Sequence, residues 1–152
     1  MFLDIALRYD PQTRNCDLAL GADMDLVIDE TPATPMLLSV YLDRRAEPDD
    51  VLPQGRSPFL SPDTLNERRG SAGDALDPAG QLAGSHLWLH ERDKQTEETR
   101  LLYAWRLAEC LAWAGRELGS EAEIEVDWLR PNVLGWRAFI DGTTLSGSAR
   151  FA

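Results

Sequence analysis

The stretch that most constrains the fold is residues 84–119, because it carries a complete helix signal. Thr96 is suited to cap a first helical turn, and the acidic Glu97 and Glu98 that follow complement the helix dipole. Gly119 suits the position just after a helix end. The spacing therefore predicts a long central helix that begins after Thr96 and ends before Gly119.

Two apolar stripes recur at three- and four-residue intervals along this helix. The first consists of Ala104, Leu107, Leu111, Ala114 and Leu118, and the second of Leu101, Trp105, Ala108 and Ala112. Side by side they cover more than half of the helix surface, which predicts a central packing helix. Leu102, Arg106, Glu109, Trp113 and Arg116 form the remaining face. A tryptophan there needs a cover, either another segment or another protein.

Alternation of apolar and polar residues predicts strands at both ends of the chain. Three N-terminal runs predict an antiparallel meander: Leu3, Ile5, Leu7 and Tyr9; Cys16, Leu18 and Leu20; Met24, Leu26 and Ile28. Near the C-terminus, residues 122–128 and 134–140 predict two strands, and residues 143–151 a weaker third. Arg137 is placed to sit opposite the acidic face of the first of these strands. The predicted class is α+β.

Between these elements the sequence predicts a short helix and a long irregular loop. Thr34 is expected to cap the helix, with Pro35 at its first position, and the apolar residues 36–42 predict burial nearly all round. Residues 43–84 then carry five prolines and five glycines with no sustained apolar period. We expect one domain over residues 1–152 containing this loop. Its residues 56–80 are open to two interpretations, a solvated flexible loop or a segment ordered by neighbours.

The loop opens on a charged turn, DRRAEPDD, over residues 43–50. Because it directly follows a predicted buried helix, its charges are held at a fixed position. Arg44 and Arg45 offer planar heads suited to carboxylates or backbone carbonyls. Glu47, Asp49 and Asp50 either satisfy these heads internally or face a partner.

Charge and cysteine usage exclude several classes of function. The formal charge of −11 argues against nucleic acid as a partner, because phosphate binding needs a basic face. Cys16 and Cys110 lack metal spacing and are expected to be reduced thiols. No signal peptide or membrane-spanning run is expected, which points to a protein made and kept in a cytoplasm. His86 and His90 lie four residues apart but lack a third ligand, so we expect no metal and no cofactor.

Nothing in the sequence requires an enzyme. The carboxylates of Glu47, Asp49 and Asp50 are more typical of an acidic turn than of a glycosidase pair. Ser39, Ser57 and Ser61 lack a nucleophile-elbow context, and no glycine-rich phosphate loop follows a strand. The acidic residues Glu121, Glu123, Glu125 and Asp127 indicate either a solvated strand face or a docking surface for a basic partner.

Four blocks, in this order, carry a family resemblance: LLSVYLDRRAEPDDVLP at 37–53, ERRGSAGD at 67–74, GSHLWL at 84–89, and the long helix. Together they resemble the Mu-like phage baseplate wedge family, which is distantly similar to the sheath-initiating wedge proteins of contractile tails. The family often has two aromatic residues where this chain has Ser71 and Ala72, so a stacking contact there is not implied. Gly84 and Ser85 are expected to set the entry to a helix with a core role.

The resemblance implies a structural, non-enzymatic subunit of a contractile tail baseplate wedge. Its partners would be a larger wedge protein, the tail hub or tube, and sheath proteins, with multiple copies in each virion tail baseplate after assembly in the host cytoplasm. Arg44, Arg45, Glu47 and Pro48 are the nearest match to a charged Glu-Pro-Arg-like contact motif, with the order altered. Arg68, Arg69 and Trp113 are the next candidate interface residues.

Two rival functions stay open at this point. One is an acidic inhibitor or mimic that blocks a basic protein, which the net charge suits but the 14 arginines spread along the chain do not. The other is a tail-associated, lysozyme-like hydrolase that uses Glu47. The first predicts salt-sensitive binding to a basic protein, and the second predicts cell-wall hydrolysis that is lost in Glu47→Gln.

Overall fold

The computed structural model describes residues 4–10, 15–55, 66–71, 74 and 82–151. The elements follow the order β1 (Asp4–Ile5), β2 (Leu7–Asp10), β3 (Asn15–Leu18), β4 (Ile28–Asp29), α1 (Ala33–Tyr41), a 3-10 turn (Leu87–His90), α2 (Glu97–Cys110), α3 (Trp113–Glu117), β5 (Glu123–Arg130), β6 (Val133–Ile140) and β7 (Thr143–Arg150). The predicted α+β class is confirmed. None of the described helices combines the length and the apolar character needed to cross a bilayer.

The three C-terminal strands form an antiparallel sheet in the order β5-β6-β7. Asn132, in the first turn, has φ 59°, and the second turn places Asp141 at φ 44° and Gly142 at φ 80°. Left-handed residues suit tight hairpins because their twist matches that of the strands. The predicted cross-strand pair forms, since Arg137 Nη2 lies 2.6 Å from Glu125 Oε2. The third strand, expected to be weak, is as long as the other two.

The main core lies between this sheet and the helices. Its fully buried side chains are Met36 of α1, Leu107, Leu111 and Ala114 of the helical layer, and Leu134, Ala138 and Ile140 of β6. The Phe151 ring meets Trp128 and Tyr103 edge-on, with centroids 5.3 and 6.0 Å apart. Burial of this apolar area is the main source of stability.

The expected single long helix is instead two helices with a break at Leu111 and Ala112. The Leu111 N–H still bonds the carbonyl four residues back, whereas the Ala112 and Ala114 N–H groups bond carbonyls only three residues back. This tighter spacing ends the regular α-helix. The predicted terminus is correct, because Gly119 has φ +68° just after the last turn.

The first apolar stripe is buried as expected, but the second is not. Leu101 is 55% exposed and Trp105 is 54% exposed, and Ala108 and Ala112 are also exposed. The sheet packs against only one side of α2, so a stripe rotated away from it has no cover within the described residues. Trp113, which was expected to need a cover, has an intramolecular one: its Nε1 donates to Ser39 Oγ at 2.9 Å.

The predicted N-cap of α2 is confirmed. Thr96 is extended, with φ −137° and ψ 163°, and its Oγ1 accepts a hydrogen bond from the Thr99 N–H at 3.0 Å. Thr96→Ala is expected to lower the free energy of unfolding by about 1 kcal/mol, because one helix donor loses its partner. Urea unfolding measures the change. Thr96→Ser keeps the hydroxyl and should stay near wild type; an equal loss in both variants would contradict the capping role.

Helix α1 differs from expectation in its start and in its burial. It begins at Ala33, and the Thr34 hydroxyl, instead of capping, donates to the Ile5 carbonyl at 3.1 Å. Leu38 is 41% and Tyr41 60% exposed, so the helix is buried on one side and not all round. It packs against the sheet, α2 and β1 from that side only.

The three N-terminal runs form a small meander, as expected, but with short and divided ladders. Strand β2 pairs with β3, β1 pairs with β4, and an isolated bridge joins Leu20 to Leu26. The three segments meet where the Ala6 N–H donates to the Val27 carbonyl and the Ala6 carbonyl accepts from the Ala19 N–H. Leu3 lies outside the described residues.

Candidate protein-interaction site

The charged turn, residues 43–50, is held in place by backbone pairing with Ser85. The Ser85 N–H donates to the Leu42 carbonyl at 2.8 Å, and the Arg44 N–H donates to the Ser85 carbonyl at 2.9 Å. The buried Ser85 hydroxyl donates to the Val40 carbonyl at 2.8 Å. Gly84, at φ +90°, lies directly against Leu42. The expected role of Gly84 and Ser85 in setting the entry to a helix is confirmed, although that helix is one 3-10 turn.

Two buried side chains contact the backbone carbonyls of Arg44 and Arg45. Trp88 Nε1 donates to the Arg44 carbonyl at 2.8 Å, and His86 Nε2 lies 3.1 Å from the Arg45 carbonyl. Trp88 is 4% and His86 is 3% exposed. Both carbonyls are therefore occupied inside. The exposed side chains of the turn are Glu47, Pro48 and Asp49, whereas those of Arg44 and Arg45 are half-buried.

Arg69 ties the turn to the segment that follows the 3-10 turn. Its Nη1 donates to Asp43 Oδ2 at 2.8 Å and to Glu91 Oε1 at 3.0 Å, and its Nη2 donates to Glu91 Oε2 at 3.1 Å. The guanidinium also lies 4.4 Å from the centre of the Trp88 ring. Burial opposes the charge, but the hydrogen bonds to Glu91 and Asp43 prevail and raise the pKa of Arg69.

Arg68 closes the turn from the other side. Its Nη1 donates to the Glu47 carbonyl and its Nη2 to the Pro48 carbonyl at 3.0 Å, while its own carbonyl accepts from the Ala46 N–H at 2.9 Å. Arg45 Nη1 lies 3.4 Å from the Arg69 carbonyl. These bonds fix the position of the exposed Glu47 and Pro48 side chains.

The structure therefore brings six of the seven predicted interface residues together: Arg44, Arg45, Glu47, Pro48, Arg68 and Arg69. Trp113 instead contacts Ser39 and packs partly buried against the main core. Arg68 and Arg69 form hydrogen bonds within the chain that hold the turn, a role that the sequence did not indicate. Contact of this cluster with another protein stays a prediction.

Helix α2 adds residues to this site that sequence reasoning missed. Arg106 Nη1 donates to Glu109 Oε2 at 3.0 Å, and its Nη2 lies 3.7 Å from Asp50 Oδ1 of the charged turn. The Arg106 guanidinium also lies 4.5 Å from the centre of the exposed Trp105 ring. The only sequence signal was the three-residue spacing of Arg106 and Glu109. The cluster and the uncovered stripe of α2 are therefore continuous at the surface.

Arg69→Met is expected to loosen the charged turn and to cost about 1 kcal/mol of stability, because the ion pairs lie near solvent. The measurement is urea unfolding together with limited proteolysis within residues 43–55, where cleavage should become faster. Arg137→Met removes an ion pair on the sheet and is the control. Equal cleavage rates in the turn of both variants would contradict the role of Arg69 in holding the turn.

Glu109 gives the site a defined pH dependence. Burial opposes its charge, but hydrogen bonds with Arg106 and His86 lower the pKa of Glu109 below its ordinary value. The unfolded carboxylate takes up a proton first, so this stabilisation is present above its ordinary pKa and is lost as pH falls through the folded pKa. We expect wild type to lose more stability than Glu109→Gln between about pH 5 and pH 3, by urea unfolding. Equal losses of stability in wild type and Glu109→Gln would contradict a contribution from the Glu109 carboxylate.

The candidate histidines and Asp50 each have a partner within the chain. His90 Nδ1 lies 2.7 Å from Asp93 Oδ2, so it and His86 have separate partners, and in the described part of the chain no three His, Cys, Asp or Glu side chains group as a metal site. Asp50 Oδ2 accepts from the Glu47 N–H at 2.8 Å and thus serves the turn.

The remaining candidate residues are the two cysteines, which the structure describes, and loop residues that it does not. Cys16 and Cys110 are both free, as predicted, and burial raises the pKa of the Cys110 thiol to about 12. Ser57 and Ser61 lie outside the described residues, as does Ala72 and most of the loop interpreted as flexible or partner-ordered.

Comparison with known proteins agrees with the resemblance seen in the sequence. Residues 32–146, most of the chain, match a protein-family model, which places the chain in a family of phage proteins. That family is the Phage protein GP46 family, and the chain belongs to it. A similar relative is the baseplate protein gp46 of Escherichia phage Mu, 33% identical over 96 residues. The match covers 61% of this chain and 59% of that relative. No solved structure matches.

Proposed function

We propose that the chain is a structural, non-enzymatic subunit of a contractile phage tail baseplate wedge. In this role it contacts a larger wedge protein and the start of the tail tube and sheath, and several copies occupy each baseplate. Membership of the Phage protein GP46 family and similarity to a protein named as a baseplate protein support this proposal. The charged turn is its proposed contact surface.

The observation that carries the assignment of the surface is the pre-organisation of the charged turn. Its backbone is bonded to Ser85, Trp88, His86 and Arg68 before any partner arrives. A turn already fixed loses little conformational entropy on binding, so more of its contact energy appears as affinity. Exposed charged side chains on such a support give specificity and orientation to a docking surface.

The test is co-expression with the neighbouring tail gene products, followed by size-exclusion chromatography and limited proteolysis. Glu47→Arg combined with Asp49→Arg reverses the two exposed charges of the turn and leaves the half-buried Arg45 and its bond to the Arg69 carbonyl in place. Glu123→Arg combined with Asp127→Arg makes the same reversal on β5 and is the matched control, since both of its residues are exposed.

Wild type and the β5 control should co-elute with a large partner, with slower cleavage within residues 43–55 than in the free chain. The turn variant should elute alone while it keeps the circular dichroism spectrum and melting temperature of wild type. If no tail product co-elutes with wild type, the proposed function loses its support. If the turn variant binds as well as the control, the turn is not the contact surface.

A further inference from the structure

The N-terminal meander, residues 4–29, has one apolar face. Directly paired residues of antiparallel strands point to the same side of a sheet, and side chains alternate along each strand. The registers pair Ile5 with Ile28, Leu7 with Leu18, and Leu20 with Leu26. Since each of the three segments contributes two of these residues, spaced two apart, all six lie on one side. We call this set the N-terminal apolar face.

The opposite side of the meander is polar at its outer positions, whereas Ala6, Ala19 and Val27, which is 38% exposed, lie at its centre. The intervening registers pair Asp4 with Asp29 and Arg8 with Asp17. An antiparallel sheet with this division normally packs its apolar side on a core and leaves the other side in water. The pattern of the meander is therefore that of a sheet whose apolar side packs against another surface.

Four of the six residues of the N-terminal apolar face are exposed, and Ile5 and Leu7 are half-buried. Leu18 is 49% exposed, Leu20 58%, Leu26 38% and Ile28 52%. None of them belongs to either of the two buried clusters found among the described residues. A contiguous set of large exposed apolar residues is uncommon on a protein that works alone and marks an interaction site.

The meander is also too small to be stable by itself. Its ladders are two and four residues long, and short isolated hairpins are marginal in water. It meets the rest of the chain at α1, where the Thr34 hydroxyl donates to the Ile5 carbonyl. Cover on the apolar face would supply the burial that the unit lacks.

Charge indicates what kind of surface supplies that cover. Residues 4–30 contain seven acidic residues and two arginines, so the segment that carries the face is net negative, although Asp4, Asp17 and Asp29 lie on its other side. A second copy of this chain would bring like charges together and is disfavoured. A surface that is apolar at its centre and basic around it matches both features.

We propose that the N-terminal apolar face docks onto a partner protein whose contact surface is an apolar patch with a basic rim. This inference rests on the proposed function, because the partner is another tail protein. The face is separate from the charged turn, and it precedes residues 32–146, which match the family model. The chain thus has two docking surfaces, one inside and one outside the matched region.

The test uses the full chain and the neighbouring tail gene product that co-elutes with it. Leu20→Asp combined with Leu26→Asp places two carboxylates at a bridged pair on the face. Leu129→Asp, at a residue 68% exposed on β5, is the control for adding charge at an exposed leucine. Isothermal titration calorimetry gives Kd for each protein, and thermal melting checks the fold. Leu20→Ser combined with Leu26→Ser removes the apolar contacts without adding charge.

The aspartate pair should weaken binding at least tenfold and the serine pair at least threefold, with the Leu129 control within twofold of wild type. Raising the salt concentration should weaken wild-type binding, because the basic rim is screened. A complex that forms normally with both paired variants overturns this inference and leaves the proposed function intact. Absence of any complex with wild type overturns both. Self-association of the wild-type chain that the aspartate pair abolishes overturns the assignment to a basic partner.

Discussion

Gly84→Ala is expected to lower the free energy of unfolding by about 3–5 kcal/mol, through backbone strain and overpacking together. A Cβ at this position would lie 2.3 Å from the Leu42 carbonyl oxygen and 2.7 Å from its carbon. The contact is with backbone, which cannot rotate away. The φ of +90° adds strain for any residue with a side chain. Relief of the clash requires Leu42 and Ser85 to separate, which would release the charged turn.

Gly142→Ala is the matched control for this change. Gly142 also has a positive φ, +80°, but nothing lies within 4 Å of a Cβ built on it. Gly142→Ala should therefore lower the free energy of unfolding by the backbone strain alone, about 1–2 kcal/mol. Urea unfolding of both variants and proteolysis within residues 43–55 separate the two effects. Equal destabilisation, with the turn equally protected, would contradict the close packing of Gly84 on Leu42.

Leu107→Ala is expected to cost about 3–4 kcal/mol, and Leu101→Ala, on the same helix, less than about 1 kcal/mol. Leu107 is 0% exposed in the main core, so its truncation loses burial and leaves a cavity. Leu101 is 55% exposed and loses little of either. Because the substitution and the helix are the same, helix propensity cancels in the comparison.

The pair of variants tests which side of α2 the sheet covers. Urea unfolding followed by circular dichroism gives both free energies under one condition. If Leu101→Ala were as damaging as Leu107→Ala, both stripes would be buried, as the sequence pattern predicted. That result would remove the exposed face beside Arg106 from the candidate site.

Local signals were read correctly where a few neighbouring residues decide the outcome. The cap at Thr96 and the left-handed Gly119 depend on side chains and φ values within one turn. The alternating C-terminal strands were also predictable, because each alternation matches one covered side of a sheet.

The covered side of α2 was not predictable, since it depends on how many layers pack around the helix. Leu101 and Trp105 have the spacing of core residues, but among the described elements the sheet that packs against α2 lies on the other side. The same reason explains the exposure of Leu38 and Tyr41 on α1. Periodicity shows that a face is apolar and not what covers it.

The candidate site likewise combines a feature that the sequence predicts with one that it does not. The cluster of charges at residues 43–50 was evident from its order in the chain. Its support was not, because Arg68 and Arg69 reach Pro48 and Asp43 across a separation of 20 or more residues. No local pattern specifies a contact that depends on how a long loop closes.

The location of the chain in assembled tails tests whether it is a structural part of a tail baseplate. Tail particles from the phage or prophage that encodes the chain would be purified, analysed by mass spectrometry and labelled with gold-conjugated antibody for electron microscopy. We expect the chain to be present in intact particles, with the gold at the baseplate end. Absence of the chain from intact particles, or label elsewhere along the tail, would exclude a structural role in the baseplate.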